Sequence, residues 1–141
     1  MENEKEFFEK MNEEKEPIDP TSEPIHSELN EMSQAGEFDG LTVHVYGNEG
    51  HIPHFHIIEG NPKFPKREVC VKFNVAEYFI HGKKDGTLNS KEQKELVIFL
   101  KEMDPDSDST YWKSMIFLWN KMNPGNKINK DMAIPDYSSL P

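Results

Sequence analysis

Apolar residues change their spacing once along this chain. Between Leu41 and Val75 they alternate with other residues in separate runs, and between Leu88 and Met122 they recur in runs at every third or fourth position. A period of two marks a strand with one buried face, and a period near 3.6 marks a helix with one buried stripe. The order of the two periods therefore predicts a sheet followed by helices, an α+β fold rather than alternating parallel units.

The sheet begins as a hairpin. Leu41, Val43 and Val45 alternate with Thr42, His44 and Tyr46, and after the turn GNEG, Phe55 and Ile57 alternate with His54, His56 and Ile58. Val69, Val71, Phe73 and Val75 predict a third strand after the loop NPKFPKR, and residues 78–81 a short fourth. Asn89 with Glu92, or Ser90 with Gln93, fits a capping box that opens a helix over 88–103. Trp112, Met115, Ile116, Trp119 and Met122 form the stripe of a second helix, which stops before Pro124 and Gly125. The expected architecture is an antiparallel sheet of three or four strands with two C-terminal helices packed on one face.

Charge divides the chain. Residues 1–40 carry 13 Asp and Glu against 3 Lys, so the whole formal charge of -10 lies there, and residues 41–141 balance 13 against 13. With Pro17, Pro20 and Pro24, this composition reads as an acidic mobile arm over 1–36, with short helices expected within 1–16 and about 27–35. The domain then spans 37–123, and 124–141 is an extended polar tail. A single cysteine, Cys70, excludes an internal disulfide, and no apolar run reaches the roughly 20 residues that span a bilayer. The expectation is a cytoplasmic protein without a membrane partner. Its net acidity disfavours nucleic acid.

Three of the six histidines fall in the stretch HIPHFHII. His54 and His56, two apart on a strand, face the same way. If Tyr46 pairs with Ile52, His44 faces His54 and Thr42 faces His56, so His44, His54 and His56 share one patch beside Tyr46. Three neutral imidazoles suit zinc or iron. The simpler and preferred reading is a polar, solvent-facing side of the hairpin, with Val43, Val45, Phe55 and Ile57 turned to the core. His51 sits at the turn without an assigned partner. Ile52 stands where a histidine-triad hydrolase needs its first histidine. Cys70 has no base at a fixed spacing, so nothing in the sequence marks it as a nucleophile.

Lys63, Lys66, Arg67, Lys72, Lys83 and Lys84 form a basic stretch. It reads first as a solvated edge and second as a face for nucleic acid or for the acidic arm. Trp112 and Trp119 read first as core.

The turn VYGNEGH, the run Pro53-His54-Phe55-His56-Ile57, the capped LNSKEQKEL and the final FLWNKMN resemble the small bacterial family known as domain of unknown function 4160. The resemblance implies a compact α+β domain from a gene setting like that of toxin and antitoxin pairs. It supplies no catalytic residues; His54 and His56 match its signature. The function expected is a non-enzymatic interaction or regulatory protein that binds a protein partner through the acidic arm or through a histidine face of His44, His51, His54, His56 and Tyr46. The alternative is a metal-dependent hydrolase or nuclease-like enzyme with His44, His54 and His56 as ligands and Tyr46 or Glu49 in proton transfer or positioning.

Overall fold

The computed structural model describes residues 32–48, 50–80 and 86–141. Its elements are β1 (Met32–Phe38), β2 (Leu41–Tyr46), β3 (His54–Asn61), β4 (Phe64–Lys72), α1 (Ser90–Lys101), α2 (Tyr111–Met122) and a 3-10 turn (Tyr137–Ser139). The strands make one antiparallel sheet in the order β1-β2-β3-β4. Sheet first and helices second is the α+β order that the change of period predicts.

The strands that build the sheet are not all the expected ones. β1 comes from residues assigned to the arm, where a helix was expected. Phe38 pairs with Leu41 across Asp39 and Gly40, both at positive φ, 50° and 77°. That is the conformation Asp-Gly favours in a two-residue hairpin, and the pairing it directs outweighs a weak helical pattern. Residues 1–31, with the rest of the arm and its expected helices, lie outside the described residues, as do Glu49, His81, Lys83 and Lys84.

β4 starts at Phe64, so the loop NPKFPKR is mostly hairpin. The fourth strand expected at 78–81 is reduced to a bridge between Val71 and Tyr78, residue 81 lying outside the description. Next to it, Phe79 N donates to Cys70 O at 2.8 Å and Gly86 N to Glu68 O at 2.7 Å. These bonds cover part of the outer edge of β4.

Val43, Val45, Phe55, Ile57, Val69 and Val71 face a core completed by Leu96, Phe99 and Leu100 of α1 and Trp112, Met115, Ile116 and Trp119 of α2. Asn89 and Glu92 make the capping box of α1. Glu92 also holds Arg67 of β4 through two bonds of 2.7 Å, which fixes the helix start to the sheet. Residues 124–141, expected as a loose tail, are packed instead: Tyr137 is fully buried, and Ile128 and Leu140 nearly so. The reason lies in the indoles. Trp112 Nε1 donates to Met132 O at 2.7 Å and Trp119 Nε1 to Asn126 O at 2.8 Å, so the tail supplies acceptors that buried tryptophans require. No helix among the described residues is long and apolar enough to cross a membrane.

Candidate metal centre

Register decides which side chains meet on the second face of the sheet. His44 pairs with His56, and His56 with Cys70, so these three stand in one row across β2, β3 and β4. Thr42, Ile58 and Glu68 form the next row. The observed β2–β3 register differs by two residues from the one that would set His44 opposite His54. A shift of two preserves the face, and only the neighbours change.

This face is not solvated. His44, His54 and His56 are at most 2% exposed, and Ile58 and Cys70 at most 1%. The expectation of a solvent-facing histidine side is therefore corrected. Among the described residues, the Phe79 ring lies 4.2 Å from that of His54 and the Tyr46 ring 4.4 Å from that of His56.

The three histidines share the face, but their nitrogens do not gather at one point. Each ring instead has one nitrogen held by an oxygen. His44 Nε2 lies 2.8 Å from Thr42 Oγ1, whose own proton goes to Ile58 O. Thr42 Oγ1 must then accept, so the His44 proton is on Nε2 and the lone pair on Nδ1. That Nδ1 is buried and has no hydrogen-bond partner. His54 Nδ1 lies 2.7 Å from Ile52 O, and a carbonyl can only accept, so His54 donates there. His56 Nδ1 lies 2.6 Å from Glu68 Oε2 and 3.4 Å from Cys70 Sγ.

His56 Nδ1, a carboxylate oxygen of Glu68 and Cys70 Sγ all lie within 4.8 Å of one another, the one such potential ligand group among the described residues. A tetrahedral ion with bonds of about 2.0 to 2.3 Å places its ligands roughly 3.3 to 3.6 Å apart. The His56–Cys70 separation already has that value; the His56–Glu68 contact must open by about 0.7 Å as an ion replaces the shared proton. The donor set fits the group: imidazole, carboxylate and thiol favour zinc or a similar borderline ion over magnesium or calcium. Glu68, with a side chain 31% exposed, links the buried pair to the surface.

The same geometry argues against a Cys-His-Glu nucleophile relay. In a relay the nucleophile and the orienting carboxylate address opposite nitrogens of the imidazole. Here both address Nδ1.

Burial lowers the pKa of His44 to about 4, with the neighbouring His56 acting in the same direction and Glu68 opposing. His44 is thus a neutral ring at pH 7. Tyr46 borders the site through its tilted ring contact with His56, but His51 is exposed and outside it, its carbonyl accepting from Asn126 Nδ2 at 2.7 Å.

Glu68 and Cys70 are the members that sequence reasoning missed. Their signal was present: Glu68, Cys70 and Lys72 alternate on one side of β4. What was lacking was the order of the strands, which puts that side next to His56. No protein-family model, curated protein or solved structure matches the chain, so neither site nor activity is inherited from a relative.

Proposed function

We propose that this protein is a metal-binding domain in which His56, Glu68 and Cys70 hold a zinc-type ion. The observation that carries the reading is the mutual approach of these three ligand atoms within 4.8 Å on the paired strands β3 and β4. The buried, unpartnered lone pair of His44 beside them supports a face built around Lewis-acid or proton chemistry rather than simple packing. Three protein ligands leave a fourth position for water or an exogenous group, and the partly exposed Glu68 supplies a route to it.

Cobalt(II) is the direct probe, because a thiolate ligand gives a charge-transfer band that oxygen and nitrogen ligands do not. The full chain titrated with Co(II) is expected to develop that band at one equivalent. Cys70→Ser is expected to abolish it, and Glu68→Gln to weaken metal affinity about tenfold or more while leaving the fold intact. An unchanged spectrum in Cys70→Ser excludes this site.

The protein-partner reading has separate support in the helices. Ile98 of α1 and Phe117 of α2 are 52% and 65% exposed, so the helices carry an apolar outward surface. As a proposal, this surface engages a protein. Phe117→Asp would abolish copurification of that protein from native cells without changing Co(II) binding.

A further inference from the structure

The β3–β4 hairpin carries the most exposed large apolar side chain among the described residues, Phe64, at 80%. Pro62 and Pro65 flank it, and Lys63 N donates to Asn61 Oδ1 at 2.8 Å, so the ring is held outward on a stiff turn. An aromatic group ordered in advance loses little entropy when something stacks on it. Nothing among the described residues uses this ring.

Two cations stand beside it. Lys66 lays its stem across Gly60, where an added Cβ would lie 3.4 Å from Lys66 Cγ. Neither Lys63 nor Lys66 is ion-paired among the described residues, whereas Arg67 is committed to Glu92 and Glu59. Lys63, Phe64, Pro65, Lys66, Arg67 and Glu68 line a groove of about 440 Å³, which is within the usual size of small-ligand sites. It runs from the aromatic, cationic tip to Glu68, the one partly exposed member of the metal group.

We propose that this groove binds a mononucleotide-type anion, its planar ring on Phe64 and its phosphate between the two lysines and the ion at Glu68. The inference rests on the metal reading above. Without an ion, the Glu68 carboxylate repels a phosphate at that end; a divalent cation reverses the sign. Ligand and ion therefore strengthen each other's binding by the same factor. A single phosphate also suits the molecule better than a nucleic-acid strand, since a chain of formal charge -10 repels a polyanion far more than one small anion.

The test titrates AMP into the Co(II)-loaded full chain and into the metal-free chain. The expected result is binding that is tighter in the loaded protein and falls roughly tenfold or more in Phe64→Ala and in Lys63→Glu/Lys66→Glu. These exposed positions leave the fold and the Co(II) spectrum unchanged, which separates ligand loss from unfolding. A normal Co(II) spectrum with no AMP binding, or with affinity indifferent to these substitutions, overturns this inference alone. Absence of the Co(II) thiolate band overturns the metal reading, and AMP binding indifferent to the ion overturns the coupling and the inference with it. Tighter binding of a short single-stranded oligonucleotide than of AMP overturns the mononucleotide assignment in favour of a strand.

Discussion

His44 shows how much a single residue can carry. Its Thr42 bond places the proton on Nε2, and burial keeps the ring neutral by lowering its pKa from 6.5 to about 4. The unfolded chain then binds a proton that the folded chain refuses. Stability from this group is complete above pH 6.5 and is lost as pH falls from 6.5 toward 4. About 2 kcal/mol of the stability at pH 7 is expected to vanish by pH 5 through His44 alone. Urea unfolding of His44→Gln against the parent at both pH values measures it; an equal pH dependence in the two proteins would show that His44 does not titrate in this way.

At the scale of the element, the sheet and helices meet at glycine and at charge. Gly36 follows the bulge of β1, and a Cβ there would lie 2.7 Å from Phe99 Cε1 and 3.0 Å from Tyr111 Cε1. Those two rings stack at 4.3 Å and join the helices over the strand. Gly36→Val forces them apart, and overpacking of this kind costs about 1 to 3 kcal/mol. Chemical denaturation is expected to show that loss with an unchanged slope; a change below about 0.5 kcal/mol would mean that the rings yield freely. The helices themselves were legible from local signals. The capping box at Asn89 and the stripe from Trp112 to Met122 predicted α1 and α2 to within about two residues. β1 was not, although Asp39-Gly40 is a strong hairpin signal, because its flank is short in β-branched residues and embedded in acidic sequence.

Across the whole molecule, the C-terminal segment closes the core. Tyr137 is buried against Phe55 and donates to Lys72 O at 2.5 Å, which ties the last residues to the end of β4. Burial raises its pKa, so the hydroxyl stays protonated and remains a donor throughout the accessible range. Tyr137→Ala removes a fully buried ring and is expected to cost about 3 to 5 kcal/mol, with a large fall in the thermal midpoint. A midpoint within a few degrees of the parent would show the segment to be dispensable. Its prolines and polar residues concealed this role, since the buried positions Ile128, Tyr137 and Leu140 are too widely spaced to make a periodic pattern.

The sequence by itself determined the class of fold, the β2–β3 hairpin, the two helices with the cap of the first, and the face that His44, His54 and His56 share. These follow from short-range rules: a period of two or 3.6, a cap, a turn. Only the tertiary structure decided that the histidine face is buried, that β4 lies beside β3, and that Glu68 and Cys70 therefore stand at His56. Alternation specifies which way a side chain points but not what it meets, because partners across a sheet are set by strand order and register over many residues.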